Sequence, residues 1–327
     1  MRLLRLSSLC AAVLASSFAS AFELSLDTSG KAVVLKAAQP AEVVRYTLNG
    51  KDPDFSAGVY LAPIELPEGG TVKAATFEGN KRVGEVRTQV VPGPGPKNTA
   101  LVPLTQNRDW KSYDWVTRHN EILALNQPGA MRADVVFLGD SITHFWSGEP
   151  KAKRVAGKDS WEKWIAPHHP INLGYGWDRT ENVLWRLRHG EIAGLKPKAF
   201  VVLIGTNNLS GFNPPAETAE GVAEVCRELR RQAPQAKILL LAILPRQAKP
   251  DATRQRVTDT NKLLQAQMLL KSQGPQIADA YLDLTDKLVE ADGSILKETM
   301  NDYLHPTNKG YEVMGAAIDA QLKAWSF

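Results

Sequence analysis

Three runs in the second half of the chain restrict its fold more than any other feature: Asp134 to Leu138, Ala199 to Ile204 and Lys237 to Leu244. Each is dense in large apolar residues and lacks polar alternation, the pattern of a strand covered on both faces. A fourth run, His169 to Leu173, leads into Gly174. Helical patterns lie between and after them. Thr180 to Arg188 places Val183, Leu184 and Leu187 on one face, and Glu217 to Arg231 does the same with Ala219, Val222, Ala223, Cys226 and Leu229. Asn308 to Trp325 carries Tyr311, Met314, Ala317, Ile318 and Leu322 at helical spacing. This alternation predicts a parallel sheet with helices on both sides, a doubly wound three-layer α/β domain over residues 106–327. In such a sheet the chemistry belongs to the loops at the carboxyl ends of the strands.

The first third of the chain is built differently. Residues 22–91 hold short runs, Lys31 to Ala37, Val43 to Leu48, Thr71 to Phe77 and Val83 to Val90, separated by the turn signals Asn49-Gly50 and Glu68-Gly69-Gly70. They predict a small β-sandwich domain. Residues 92–105 open on Pro92-Gly93-Pro94-Gly95-Pro96, which neither helix nor strand continues, and are expected to link the two domains. Residues 1–21 run from Arg2 and Arg5 through an apolar stretch to Ala19-Ser20-Ala21, the layout of a cleavable signal peptide. Export to the periplasm or the medium is therefore expected. No later stretch has the roughly 18 continuous apolar residues of a membrane span.

Charge and cysteine content exclude several function classes. A net charge of +4, from 39 basic and 35 acidic residues, falls to about +2 without the leader's two arginines, which predicts no nucleic-acid partner. Of the two cysteines, Cys10 lies in the leader and Cys226 on an apolar helix stripe, so neither a disulfide framework nor a zinc cluster is expected. Buried there, Cys226 is expected to be inert. His168-His169 has no acidic or Cys partner at ligand spacing, and no metal is expected.

Four loops carry candidate chemistry. Gly139-Asp140-Ser141 follows the first run, where a tight strand-to-helix turn holds a serine out at the sheet edge. Asp302-Tyr303-Leu304-His305-Pro306 precedes the last helix: a neutral histidine can take a serine proton, and a carboxylate three residues earlier can fix its tautomer. Gly205-Thr206-Asn207-Asn208 places an asparagine amide where an oxyanion would form. Asn172-Leu173-Gly174-Tyr175-Gly176-Trp177-Asp178 offers unpaired backbone N–H groups ahead of a helix. Taken singly, each loop reads equally well as a turn or a helix cap. His144, three residues past Ser141, is expected to be structural or part of the pocket wall.

In chain order, Gly-Asp-Ser, then the glycine-rich loop, then Gly-x-Asn, then Asp-x-x-His near the C-terminus, the four loops resemble the SGNH (GDSL-type) hydrolase superfamily over about residues 130–325. The text is most similar to the catalytic subunits of intracellular platelet-activating-factor acetylhydrolases, through Val136 to Ser141, Val183-Leu184-Trp185-Arg186-Leu187, Gly205 to Asn208, Leu244-Pro245-Arg246 and Asp302 to His305. The resemblance implies a flavodoxin-like sheet, no cofactor, Ser141 as nucleophile, His305 as base, Asp302 as its orienter and Asn207 as an oxyanion donor beside the Ser141 N–H. Where the family places a glycine whose N–H completes the oxyanion hole, this chain has Trp177. Its N–H serves only if the backbone torsion suits a non-glycine residue, and its side chain is left to narrow the acyl site, stack on a sugar or pack in the core. Asn208 is expected to bind substrate beside Trp177. Separately, Tyr46 to Pro53 with Tyr60, Pro63-Ile64 and Val72-Lys73-Ala74 resembles the small C-terminal β-domain of chitobiases and β-hexosaminidases.

Together these readings predict a serine esterase that forms an acyl-enzyme and removes a short acyl group, acetyl above all, from a carbohydrate. The partner expected is a small-molecule or glycan ester; oligomeric state is not readable. Two rivals stand beside it: a lysophospholipase or short-chain lipid esterase, and a glycan-binding protein that has lost activity.

Overall fold

The computed structural model describes residues 22–37, 43–127, 129–269 and 276–327; the signal-peptide reading falls on residues 1–21, outside them. Among the described residues, eight strands fill the N-terminal region: β1 (Phe22–Leu26), β2 (Ala32–Ala37), β3 (Val43–Thr47), β4 (Gly58–Val59), β5 (Ile64–Glu65), β6 (Gly70–Glu78), β7 (Lys81–Arg82) and β8 (Arg87–Val91). All described pairings there are antiparallel, β1-β2-β5 in one sheet and β4-β3-β6-β7 in the other, with β8 also on β6. Phe22, Val33 and Ile64 from the first sheet meet Val44, Tyr46, Val72 and Val91 from the second in one apolar core. The pair of sheets is thus the expected small sandwich, and β1, β4, β5 and β7 are strands that the alternation did not reveal.

The second region holds the parallel strands β9 (Val135–Gly139), β10 (Pro170–Gly174), β11 (Ala199–Leu203), β12 (Lys237–Leu241) and β13 (Ala280–Leu282) in the order β10-β9-β11-β12-β13. That is the flavodoxin-like order 2-1-3-4-5. Successive residues of a strand point to opposite faces, and here both faces are covered. Val136, Leu138, Phe200, Val202, Ile238 and Leu240 enter one apolar layer, and Val135, Phe137, Ala199, Val201, Leu239 and Leu241 enter the other. This is the physical reason that the runs carry no polar alternation.

Among the described residues, eight α-helices pack around the sheet: α1 (Trp115–Leu125), α2 (Ser141–His144), α3 (Lys158–Ser160), α4 (Thr180–Arg188), α5 (Pro215–Gln232), α6 (Ala252–Leu269), α7 (Thr285–Leu288) and α8 (Asn308–Ala324). α4 and α5 lay Val183, Leu187, Val222 and Cys226 on the first layer, while α8 lays Tyr311, Met314 and Ile318 on the second. A nine-residue helix such as α4 is marginal alone, so its buried stripe, about 1.5–3 kcal/mol per large side chain, is what holds it. Burial pushes the Cys226 thiol up to about 12.

The segment expected to be a linker is docked along half its length. Asn98 donates to the Glu217 carbonyl, Thr105 Oγ1 donates to the Val59 carbonyl, and the Thr105 N–H donates to the Tyr46 hydroxyl. Thr105, Gln106 and Asn107 are buried. Proline and glycine do keep residues 92–96 irregular, but the polar residues after them bond to both regions.

Candidate active site

Ser141 begins α2 directly after β9, and Asp140 caps that helix by accepting the Ile142 N–H at 2.9 Å. The turn is tight enough that a Cβ on Gly139 would lie 2.4 Å from the Leu203 carbonyl of β11 and 2.3 Å from Thr143 Oγ1. Glycine is required there by close approach. In a 2-1-3-4-5 sheet the strand order reverses between β9 and β11, and the resulting crevice lies where Ser141 and Asn207 leave their strands.

Across the crevice, the chain ahead of α8 turns through Asp302 to His305. Ser141 Oγ lies 2.9 Å from His305 Nε2, and His305 Nδ1 lies 2.7 Å from Asp302 Oδ2. With the Nδ1–H donated to the carboxylate, Nε2 is left to accept from the serine hydroxyl. Asp302 Oδ1 accepts the backbone N–H groups of His305 at 2.7 Å and Leu304 at 3.1 Å. Burial alone would raise the Asp302 carboxyl, but these bonds from His305 and Leu304 hold it below its ordinary value. The Tyr311 hydroxyl on α8 donates to the Ile142 carbonyl at 2.7 Å and so ties the base-bearing segment to the serine turn.

Ser141, Asn207 and Trp177 all line the same cleft. The Ser141 N–H is at a helix start, where no intrahelical acceptor exists. Asn207 Nδ2 donates one hydrogen to the Asp178 carbonyl at 3.0 Å, which orients the amide and leaves its second hydrogen to the cleft that Asn207 lines. Trp177 lines the cleft as well, with φ of 63°, the left-handed torsion that a glycine would take without strain. Its side chain is 46% exposed, which removes the core-packing alternative. Asn208 does not join them. It is fully buried, its Oδ1 accepts the Thr180 N–H, and its Nδ2 donates to Thr180, Glu181 and Asn213. The expectation that Asn208 binds substrate is corrected: its amide is spent on tying the loop after β11 to α4.

The loop that carries Trp177 is held from several sides, by residues no motif singled out. Gln106 donates to the Gly176 carbonyl and to Asp178 Oδ1, each at 2.9 Å, and the Tyr113 hydroxyl donates to the same carbonyl. Arg108 donates to the Trp177 carbonyl at 2.8 Å. His144 is buried, and its Nδ1 accepts the Gly176 N–H at 3.1 Å. Burial, with Arg118 and Arg186 nearby, pushes His144 down to about 2, so it stays a neutral acceptor. Beneath the loop, the fully buried Arg186 pairs with Asp178 at 2.9 Å and with Glu191, which keeps the guanidinium charged against the cost of burial.

Residues 137–313 match the model of the GDSL-like lipase/acylhydrolase family, and residues 33–91 match the Fn3 associated model. Among curated proteins, the chain is 34% identical over 218 residues to platelet-activating factor acetylhydrolase IB subunit alpha2 of Homo sapiens, covering 66% of this chain and 87% of that protein. It is 30% identical over 208 residues to the alpha1 subunit of Rattus norvegicus, covering 64% and 82%. Among solved structures, a GDSL-like lipase from Bacteroides thetaiotaomicron aligns with a TM-score of 0.50 at 21% identity, over 64% of this chain and 97% of the other, a likeness of fold.

Proposed function

The chain belongs to the GDSL-like lipase/acylhydrolase family and is a carboxylic ester hydrolase, and from that premise we propose that it removes acetyl or similarly short acyl groups from the hydroxyls of a carbohydrate. In this reading Ser141 Oγ attacks the ester carbonyl as His305 Nε2 takes its proton, and Asp302 stabilises the imidazolium. The oxyanion is met by the N–H groups of Ser141 and Trp177 and by the Asn207 amide. His305 then gives its proton to the departing alcohol, and water, deprotonated by the same ring, releases the acid and frees Ser141.

The observation that carries the choice of acyl group is the cleft itself. It encloses about 170 Å³, and beside the reacting pair Asp109, Ser112, Arg154, Ser210 and Arg246 interrupt the apolar surface that Phe145, Leu304 and Trp177 supply. A long acyl chain needs a continuous apolar trench to leave water; an acetyl group does not. For the alcohol side, the support is aromatic exposure: Trp177 at the cleft, with Phe212, whose ring carries the Arg179 guanidinium, and Trp110 also reaching the surface. A second cleft of about 560 Å³ runs between the strand-rich region and the α/β region, lined by Asn49, Asp52 and Phe212 among others. The loops after β10 and β11 wall both spaces, with Trp177 and Ser210 on one and Arg179 and Phe212 on the other. Flat apolar faces beside hydrogen-bonding groups suit a sugar chain.

The test is an acyl-length series on p-nitrophenyl esters run beside acetylated xylan and acetylated sialic acid, with Ser141→Ala and Trp177→Ala. Activity should fall steeply beyond butyrate and vanish in Ser141→Ala, and Trp177→Ala should raise KM on the glycans more than on p-nitrophenyl acetate. Rates that climb towards octanoate would favour the lipid esterase.

A further inference from the structure

Beyond the reacting pair, three charged side chains line the catalytic cleft: Arg154, Arg246 and Asp109. Neither arginine has a carboxylate within 4.0 Å among the described residues. Asp140 and Asp251 act on Arg246 only through space, as Arg154 does on Asp109. Arg246 is nonetheless fixed. Its Nη1 faces the Thr206 carbonyl at 3.2 Å, Thr206 Oγ1 at 3.3 Å and Ser210 Oγ at 3.0 Å, all on the loop that carries Asn207. Its Nε and Nη2 make no bond to a described residue. Arg154 lies over the Phe145 ring, 4.7 Å from the centroid, and that ring is 5.5 Å from the His305 ring. One cation thus stands on the side of the oxyanion donors and the other on the side of the base.

Half-buried and without a counter-charge, the Arg246 guanidinium carries a standing cost that a bound anion relieves, and the exposed Arg154 adds its charge across the cleft. Two arginines against one lining carboxylate leave an excess of one positive charge, which matches a single negative charge better than a dianion. The planar fork of arginine fits a carboxylate through two parallel bonds. We propose that the cleft selects esters bearing a carboxylate, the chemistry of an acylated acidic sugar, with Arg246 and Arg154 as the specificity-determining cations. The inference rests on the short-ester reading of the same cleft and does not depend on the alcohol being a sugar.

The experiment compares 4-acetoxybenzoate with its methyl ester, each rate divided by the hydroxide-catalysed rate to remove the difference in leaving group. Wild-type enzyme should prefer the carboxylate. Arg246→Gln should lower the carboxylate-to-methyl-ester ratio of kcat/KM about tenfold or more, chiefly through KM, the scale of a charge-assisted bond. Arg154→Gln, at an exposed position, should lower it about two- to fivefold. A wild-type ratio at or below one overturns the proposal, and so does an Arg246→Gln variant that loses both substrates alike, which would leave Arg246 only its loop contacts. Arg154 makes no hydrogen bond to a described residue, so an unchanged ratio in Arg154→Gln overturns the paired role. Carboxylate preference without cleavage of acetylated xylan or sialic acid sinks the carbohydrate reading alone; cleavage of acetylated xylan without carboxylate preference sinks this inference alone.

Discussion

Replacing Asp302 by Asn separates two jobs that one carboxylate does. Oδ1 accepts both backbone N–H groups of the turn, and Oδ2 accepts the His305 ring N–H. Asparagine keeps an oxygen for the turn and puts an NH₂ group, a donor, against Nδ1. The ring must then carry its proton on Nε2, where it can no longer accept from Ser141. The stability loss should be small: Asp302 is 46% exposed, so the missing charge-assisted bond is screened and costs about 1 kcal/mol at most, which for a protein of this size lowers Tm by roughly 2–4 °C or less. The kinetic loss should be far larger. A triad carboxylate turned into an amide usually lowers kcat by about 10⁴, or about 5.5 kcal/mol of transition-state stabilisation. Steady-state hydrolysis of p-nitrophenyl acetate beside a thermal melt reads both numbers. Asp302→Ala, which also strips the turn of its acceptor, should match the kinetic loss and melt lower still. A folded Asp302→Asn enzyme with kcat within tenfold of wild type would refute the role given to Asp302.

Two further substitutions probe the donors and the buried carboxyl. Asn207→Ala removes the side-chain amide proposed to donate to the oxyanion and should lower kcat by about 100–1,000-fold with little change in KM; a loss confined to KM would assign Asn207 to ground-state binding. Burial pushes the Asp140 carboxyl up to about 7, with the Ile142 N–H pulling the other way. Below about pH 4 both folded and unfolded chains hold this proton. As pH rises towards 7 the unfolded chain releases it and the folded one keeps it, so stability falls across that window by up to about 4 kcal/mol and then levels. Asp140→Asn should flatten that stretch of the Tm-against-pH curve, and parallel curves for variant and wild type would contradict the shift.

The parallel layer was legible because burial on both faces leaves a local mark, runs such as Val135 to Leu138 without polar alternation. β13 left too little of one: Ala280–Leu282 is three residues long and only half-buried. α1 and α6 also escaped the pattern, and α6 mixes polar residues into most of its turns. Site residues were readable where chemistry forces a residue type into a fixed local frame, as with Ser141 after a glycine turn and the three-residue spacing of Asp302 and His305. Asn208 misled because the amide that suits an oxyanion equally suits a buried loop, and only the fold puts Thr180, Glu181 and Asn213 around it. Gln106 and Arg108, which hold the Trp177 loop, and Asp109 and Arg154, which line the cleft, were invisible because no motif spacing betrays them.

The departure at Trp177 follows from those same distant residues. A left-handed torsion costs a non-glycine residue about 1–2 kcal/mol, and such strain persists only where its surroundings over-determine the backbone. Here the carbonyl before Trp177 is bound by Gln106 and Tyr113, its own carbonyl by Arg108, the Gly176 N–H by the neutral ring of His144, and Asp178 by Gln106, Trp115 and Arg186. Several of these bonds come from the segment that follows the β-sandwich, which is itself fastened to it, since Asn107 bonds to the Phe55 and Ser56 carbonyls and Thr105 to Tyr46 and Val59. The N-terminal region is therefore tied to the Trp177 loop, which walls the cleft, through one chain of hydrogen bonds. A glycine at 177 would release the strain but also the exposed ring; the bonds that clamp the loop are what let a non-glycine residue hold this torsion.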